Sequence, residues 1–191
     1  MGKLVLLMGP SGVGKSVILK TLRKRHPEWR FPRSATTRPR RPGEGGDLYH
    51  FVTDAECDCL IAEGKMLEWA RVHEGARYGT LLEEIIPAIE TGKIVVREVD
   101  VQGFESIRKH PLFSGPQAPY RLQSIFILPE KKEQLVARIR QRSPIGDEEL
   151  KRRIASMEKE LSYAVLCDAR VTNREGELPE TVAEVERRIL R

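Results

Sequence analysis

The sequence predicts an α/β fold in which a parallel sheet forms the core and helices flank it. Three observations support this prediction. A continuous apolar run, Leu4–Met8, leads directly into the Gly-rich stretch Gly9–Ser16. The residues from Val17 to Arg25 contain no Gly or Pro and have the pattern of a helix. Two further apolar runs, Ile94–Val101 and Ser124–Leu128, indicate more buried strands, because strands covered on both faces read as continuous apolar runs.

The Gly-rich stretch fits G-x-x-x-x-G-K-[ST], the pattern of a phosphate-binding P-loop, so the core is expected to be of the P-loop NTPase type. Glycines let several backbone N–H groups converge on one anion, and the start of the following helix adds partial positive charge. Lys15 is expected to reach the β- and γ-phosphates of a nucleotide, and the Ser16 hydroxyl to coordinate Mg²⁺. The predicted nucleotide-binding residues of the loop are Gly9, Pro10, Ser11, Gly12, Val13, Gly14, Lys15 and Ser16. The stretch does not fit G-x-G-x-x-G, which argues against a dinucleotide fold.

Length and charge narrow the classes of protein further. The 191 residues correspond to about one domain, with room for small inserted subdomains. A net charge of +5 suits polyanionic ligands, either nucleotides or nucleic acid. The three cysteines, Cys57, Cys59 and Cys167, do not form a disulfide framework, so reduced thiols in the cytosol are expected. Cys57 and Cys59 lack a second pair at zinc spacing, and no signal peptide or membrane span is expected.

A basic segment follows the first predicted helix. Pro39 and Pro42 prevent a continuous helix there, so Arg38 and Arg41 lie in an extended or turning segment and are able to present two planar guanidinium groups to one anion. A solvated basic loop or a patch for nucleic acid is the alternative. A small-molecule site is favoured by the polar residues mixed with the arginines, which are Ser34, Glu44 and Tyr49.

The next stretch predicts a surface helix from Thr53 to Lys65, in which Thr53 and Glu56 form a capping box. The strand-like run Met66–Val72 then contains one acid, Glu68, which either faces solvent or accepts two N–H bonds from a ligand. Tyr78 and Thr80 follow and offer a second phenol and a hydroxyl.

The predicted strand Ile94–Val101 comes after a helix from Leu82 to Glu90. Side chains alternate along a strand, so Glu98 and Asp100 are expected to share one face near its carboxyl end, where ligands of open α/β sheets bind. The two acids either hold Mg²⁺ through water, orient a substrate or pair with Lys or Arg. Arg97 points the other way and either pairs with an acid or marks a face near the surface. Gln102 and Gly103 are expected to turn the chain out of the sheet.

The remaining sequence predicts three helices and one strand. Pro129 opens a helix through Arg142, a mobile connector spans 143–146, and Asp147 caps a helix that continues towards Leu166. The arginines of these two helices, Arg138, Arg142, Arg152 and Arg153, suit a lid that closes over phosphates, although surface charge is the alternative. Residues 169–173 form the last strand. Pro179 starts the C-terminal helix, whose inward residues are Val182, Val185 and Ile189.

Four stretches together resemble the guanylate kinase family. They are Gly9–Ser16, Ser34–Glu44 with Asp47–Phe51, Leu67–Ala70 with Tyr78–Thr80, and, more weakly, Val99–Gly103. The resemblance covers nearly the whole chain and implies a single domain, 1–191. Within it, 1–32, 81–128 and 156–191 are expected to form the nucleotide-binding core, 33–80 a GMP-binding subdomain and 129–155 the lid.

The resemblance implies transfer of the γ-phosphoryl group from Mg-ATP to GMP. It assigns catalysis to Lys15, Arg138, Arg142 and Arg153, and adds Asn173 to the P-loop residues that bind ATP. It assigns the GMP phosphate to Arg38, Arg41, Tyr49 and Tyr78, the guanine to Ser34, Glu68 and Thr80, and further GMP contacts to Glu44, Glu98 and Asp100. Two residues depart from the family pattern, because Glu98 stands where aspartate is usual and Arg97 where an aliphatic residue is usual.

Three other functions compete with this interpretation. They are a phosphopeptide-binding module of the same fold without catalysis, a kinase of the same fold acting on another phosphorylated substrate, and a nucleic-acid-binding protein. Intact Lys15 and Ser16 argue against the first, and the set of Ser34, Glu68 and Thr80 against the second. The expected partners are therefore ATP and GMP, with dGMP left open, and neither nucleic acid nor a membrane. A cytoplasmic location is expected.

Overall fold

The computed structural model of the protein describes residues 2–71, 75–142 and 146–191. For residues 138–142, 147 and 149 it describes the backbone alone. The chain divides into two compact units. One unit comprises Met1–Leu4, Glu28–Arg97 and Gln102–Leu122. The other comprises Val5–Pro27, Glu98–Val101 and Gln123–Arg191.

A four-stranded sheet forms the core predicted from the apolar runs. Its strands are β1 (Lys3–Met8), β6 (Ile94–Glu98), β7 (Arg121–Pro129) and β8 (Ala169–Asn173), in the order β6-β1-β7-β8. Strands β7 and β8 pair in parallel from Ile125 opposite Ala169 to Pro129 opposite Asn173. All six residues of β1 are buried, as expected for a strand covered on both faces. The predicted α/β class with a parallel-strand core is confirmed.

A second four-stranded sheet lies in the first unit. Its strands are β2 (Ser34–Thr36), β3 (Tyr49–Phe51), β4 (Met66–Arg71) and β5 (Arg77–Leu81), in the order β3-β2-β5-β4. Strand β2 pairs in parallel with β3 and antiparallel with β5, and β5 pairs antiparallel with β4. The basic segment predicted to be extended or turning thus contributes two short strands to this sheet.

Seven α-helices are found in the described ranges 2–71, 75–142 and 146–191, and a 3₁₀ turn, Tyr163–Leu166, follows the sixth. They are α1 (Lys15–Arg25), α2 (Asp54–Ala62), α3 (Leu82–Glu90), α4 (Val101–Lys109), α5 (Lys132–Arg142), α6 (Asp147–Ser162) and α7 (Leu178–Ile189). The predicted inward residues of α7, Val182, Val185 and Ile189, are fully buried. No helix in the described ranges is long and apolar enough to cross a membrane.

Several boundaries differ from the predictions. Strand β6 ends at Glu98, so Asp100 lies in the link to α4 and does not continue the alternation of the strand. Gln102 and Gly103 belong to α4, which the sequence analysis did not predict. Pro129 ends β7, and α5 begins only at Lys132. Gly146 occupies the N-cap of α6, and most of the predicted connector before it, residues 143–145, lies outside the described residues.

The predicted capping box at the start of α2 is confirmed. The backbone N–H of Glu56 donates to Thr53 Oγ1 at 3.1 Å, and the backbone N–H of Thr53 donates to Glu56 Oε2 at 2.7 Å. Two N–H groups that the helix leaves without partners are therefore satisfied reciprocally.

Replacing Thr53 with Ala removes the capping hydroxyl, and we expect the free energy of unfolding to fall by about 1 kcal/mol. Urea unfolding of the intact chain measures the change, with Thr53→Ser as the matched control that keeps the hydroxyl. Equal unfolding midpoints for both variants and the unsubstituted chain would contradict this assignment of the cap.

Candidate functional site

The P-loop lies between β1 and α1 in a conformation that requires glycine. Gly9, Gly12 and Gly14 have φ angles of 144°, 83° and 103°, values that other residues rarely adopt. A Cβ atom on Gly9 would also lie 2.5 Å from the carbonyl oxygen of Ile127, which belongs to β7. The loop conformation is thus built into the contact of Gly9 with the neighbouring strand.

Lys15 and Ser16, at the start of α1, place a cation and a hydroxyl at the end of this loop. Lys15 Nζ donates to the carbonyl oxygens of Gly9 at 2.6 Å and Pro10 at 3.1 Å, so the ammonium group folds back over the loop. The backbone N–H of Ser11 donates to Glu160 Oε2 of α6 at 3.1 Å. A carboxylate oxygen therefore already occupies one donor of the loop, in keeping with a site for anions.

Glu98, at the carboxyl end of β6, lies against the same two side chains. Its Oε1 is 3.6 Å from Lys15 Nζ, and its Oε2 accepts from Ser16 Oγ at 3.4 Å. The contact with Lys15 agrees with one of the alternatives predicted for Glu98, pairing with a lysine or arginine, while the contact with GMP that the resemblance implies stays a prediction. Asp100 is exposed in the link to α4. A hydroxyl beside a carboxylate supplies the hard oxygen ligands that Mg²⁺ prefers.

Asn173, the last residue of β8, supports the P-loop from its outer side. Its Nδ2 donates to the carbonyl oxygen of Val13 at 2.8 Å, and its Oδ1 accepts from Thr181 Oγ1 of α7 at 3.1 Å. The carbonyl oxygen of Val13 can only accept a hydrogen bond, so it fixes the Nδ2 end of the amide towards the loop. The side chain of Asn173 thus contacts the backbone of the P-loop.

The basic segment forms a candidate anion site in the first unit. Arg38 donates from Nε to the Tyr78 hydroxyl at 3.1 Å and from Nη2 to Glu44 Oε1 at 2.7 Å, and its guanidinium lies 5.4 Å from the centre of the Tyr49 ring. Glu44 also accepts from the backbone N–H of Arg41 at 3.1 Å. The hydrogen bond from Arg38 lowers the pKa of Glu44, and the same bond raises the pKa of Arg38. Both groups are therefore charged at neutral pH.

A row of polar side chains crosses three adjacent strands of the second sheet. Thr80 of β5 lies opposite Ser34 of β2 on one side and opposite Glu68 of β4 on the other. Thr80 is fully buried and donates a short hydrogen bond from Oγ1 to Glu68 Oε1. The Glu68 side chain is 8% exposed, so the sequence alternative of a solvent-facing strand residue is wrong. Strand register thus brings together the three residues assigned to the guanine base.

Arg97 is the residue at this row to which the sequence analysis gave no function. Its side chain is 7% exposed and lies 3.5 Å from Glu68 Oε1, so the first of the two predicted alternatives, pairing with an acid, is confirmed. The signal in the sequence was an arginine inside an apolar strand. The identity of its partner, 29 positions away, follows only from the fold.

The structure describes the side chains of only some of the arginines predicted for the lid. Arg153 lies on the exposed part of α6. The side chains of Arg138 and Arg142, both in α5, lie outside the described residues. Their assignment to the transferring phosphoryl group stays a prediction.

Comparisons with known proteins agree with this geometry. The family profile described as guanylate kinase matches residues 1–190. A guanylate kinase of Nostoc sp. is 40% identical over 185 residues, covering 96% of this chain and 88% of that protein. A guanylate kinase of Thermosynechococcus vestitus is 41% identical over 173 residues, covering 90% and 86%. The crystal structure of guanylate kinase from Anaplasma phagocytophilum aligns with a TM-score of 0.68 at 25% identity, covering 97% of this chain and 83% of that one.

Replacing Asn173 with Ala removes the hydrogen bond to Val13 and loosens the loop. We expect Mg-ATP to bind about fivefold more weakly, because one such bond contributes about 1 kcal/mol. Calorimetry with a non-hydrolysable ATP analogue measures the affinity, and Thr172→Ala, an exposed neighbour on β8, is the matched control. An unchanged dissociation constant for the Asn173 variant would show that the amide does not support nucleotide binding.

Proposed function

This chain belongs to the guanylate kinase family, and we propose that it transfers the γ-phosphoryl group of ATP to GMP, giving ADP and GDP. The observation that carries the proposal is the row of Ser34, Thr80 and Glu68 on adjacent strands, with Thr80 fully buried at its centre. A P-loop by itself supports only the binding of a nucleotide, whereas this row supports the recognition of one particular base.

Guanine presents two neighbouring donors, N1–H and the N2 amino group, to a partner. The carboxylate of Glu68 accepts from both and is held in place by Thr80. AMP presents an acceptor at N1 and no amino group at C2, so it would leave the buried carboxylate without its partners. A site built to pair with a donor can reject an analogue lacking it by about ten-thousandfold.

The anion site of the first unit suits the phosphate of GMP. We assign the phosphate to the side chains of Arg38, Arg41, Tyr49 and Tyr78. Glu44 orders this group, because it accepts from both the Arg38 side chain and the Arg41 backbone. Arg38 is thereby fixed in one orientation before the substrate arrives, which reduces the entropy lost on binding.

We assign ATP to the P-loop, with Lys15 reaching its β- and γ-phosphates. Ser16 and Glu98 supply oxygen atoms that fit Mg²⁺, directly or through water. When bound, Mg²⁺ neutralises charge on the β- and γ-phosphate oxygens. On anion binding, Lys15 exchanges its contacts with the loop carbonyls for contacts with phosphate oxygens.

The reaction is a direct in-line transfer. An oxygen of the GMP phosphate forms a bond to the γ-phosphorus as the bond to the β–γ bridging oxygen breaks and ADP leaves. The GMP phosphate is already a competent nucleophile, so no general base is needed. We assign stabilisation of the spreading charge to Lys15, Arg138, Arg142 and Arg153, with 129–155 as a lid that excludes water.

This assignment divides the chain functionally into a GMP-binding subdomain, 33–80, the lid, and a nucleotide-binding core made of the remainder. The chemistry of the phosphoryl transfer does not depend on where the boundaries of the GMP-binding subdomain and the lid lie. None of the three cysteines, all of them among the described residues, forms a disulfide, in keeping with the cytoplasmic location we propose.

Offering GMP, AMP, CMP and UMP separately with Mg-ATP tests the function. We expect rapid ADP release with GMP alone. Replacing Lys15 with Ala should lower turnover at least about a hundredfold, since removing one transition-state donor costs that much. Lys20→Ala, an exposed lysine of the same helix, is the control. Two results would refute the proposal. One is no turnover of any of the four substrates by a folded sample that still binds GMP, and the other is unchanged turnover without Lys15.

Replacing Glu68 with Gln tests how guanine is recognised. Glutamine keeps the shape but supplies one acceptor and two donors, so one N–H group of guanine meets another donor. We expect kcat/KM for GMP to fall by about a hundredfold and the preference for GMP over IMP, which lacks the N2 amino group, to be lost. Glu63→Gln, an exposed carboxylate after α2, is the control. A preserved preference for GMP over IMP would assign base recognition to other residues.

A further inference from the structure

The buried guanidinium of Arg97 contacts Ser34 and lies close to Glu68, two residues of the polar row. Arg97 Nη2 donates to Ser34 Oγ at 3.3 Å and to the carbonyl oxygen of Gly79 at 3.4 Å, and it lies 3.5 Å from Glu68 Oε1. Two of these three neighbours are residues assigned above to the guanine, and the third precedes Thr80. None of the roles described above uses Arg97.

The surroundings of Arg97 are poorly suited to a purely structural ion pair. Removing a guanidinium from water costs several kcal/mol unless its partners compensate, and this burial lowers the pKa of Arg97. Within the described ranges, its buried Nε has no hydrogen-bond partner. A second acid, Glu84, is within electrostatic reach but already pairs with Arg30 and His50. Glu68 is therefore the carboxylate that balances the buried charge.

Contact with Arg97 fixes the hydrogen-bonding direction of Ser34. A serine hydroxyl has one hydrogen to donate and two lone pairs that accept. Because Ser34 Oγ accepts from Arg97, its own hydrogen is directed to another acceptor. In the base site that acceptor is an oxygen such as O6 of guanine, whereas the N6 amino group of adenine would offer a donor.

The same guanidinium acts on Glu68. Oε1 of Glu68 accepts from Thr80 and faces the positive charge of Arg97, so the buried carboxylate is held as an ionised acceptor. The N1–H and N2–H donors of the base require a charged acceptor of this kind. Ser34 as donor and Glu68 as acceptor match the edge of guanine and oppose that of adenine.

We propose that Arg97 is a specificity-determining positioning residue, which sets Ser34 as hydrogen-bond donor and Glu68 as charged acceptor for guanine. This inference rests on the proposed function, because it presumes that the row binds a purine base. It assigns to Arg97 no contact with the reacting phosphates. Its loss should therefore change the choice and the affinity of the base more than the rate of the chemical step.

Steady-state kinetics at saturating Mg-ATP with GMP, IMP and AMP test the proposal. In Arg97→Met, which keeps an unbranched apolar chain and removes the guanidinium, we expect KM for GMP to rise about ten- to hundredfold. We expect kcat at saturating GMP to stay within about threefold, and the GMP-over-AMP preference to fall at least about tenfold. Arg97→Lys, which restores a charge beside Glu68, should recover part of the preference. Arg71→Met, exposed on the strand that carries Glu68, is the matched control.

The double variant Arg97→Met with Glu68→Gln provides a second test of the proposal, which can be used if the Arg97→Met protein folds poorly. Removing both charges avoids an unpaired buried carboxylate and is expected to restore stability. Because Arg97 acts largely through Glu68, adding Arg97→Met to Glu68→Gln should lower the GMP-over-AMP preference of the Glu68→Gln protein by clearly less than tenfold.

Three results would overturn the inference. The first is a folded Arg97→Met protein that prefers GMP over AMP as strongly as the unsubstituted chain does. This result refutes the role of Arg97 and leaves the proposed function standing. The second is a further loss of tenfold or more when Arg97→Met is added to Glu68→Gln, which also refutes that role alone. The third is an unsubstituted chain that does not turn over GMP, which refutes the proposed function and this inference with it.

Discussion

The left-handed backbone of the P-loop is the constraint on which the nucleotide site depends. Three positive φ angles in six residues belong to glycines, which allow many other conformations as well, so packing must select this one. Strand β7 closes against Gly9 from one side, and Asn173 of β8 holds the carbonyl oxygen of Val13. Thr181 of α7 in turn orients Asn173. The loop geometry is thus enforced by the carboxyl ends of two strands and by the start of the C-terminal helix.

In the second sheet the corresponding constraint is register. Glu68 lies opposite Thr80 only because the pairing of β4 with β5 shifts between Met66 and Glu68. Since side chains alternate along a strand, a further slip by one residue would turn Glu68 to the opposite face. Gly79 permits the close approach, because a Cβ atom there would lie 2.9 Å from the carbonyl oxygen of Glu68. Recognition of the base therefore depends on backbone pairing as much as on side-chain identity.

Local patterns made much of this structure predictable from the sequence. The P-loop, the capping box at Thr53 and the apolar face of α7 each depend on residues a few positions apart. Helix α4 was not predicted, because Gly103 reads as a turn although here it is a buried helical residue. The partners of Glu98 and Arg97 also lay beyond prediction. Each contact joins residues that are distant in the chain, so only the fold determines which acid meets which cation.

The pair of Arg97 and Glu68 illustrates why a base-binding site retains costly buried charge. An apolar pair of equal volume would often be as stable or more so, because desolvation offsets most of the attraction between buried charges. An apolar wall, however, cannot distinguish a donor from an acceptor on a purine edge. Oriented charges in a poorly polarisable site can make this distinction. A mismatched base leaves a buried group unpaired, and the affinity lost in this way exceeds what one hydrogen bond contributes. The ion pair thus makes its sharpest contribution in rejecting the wrong base, which is why its effect belongs to selectivity more than to stability.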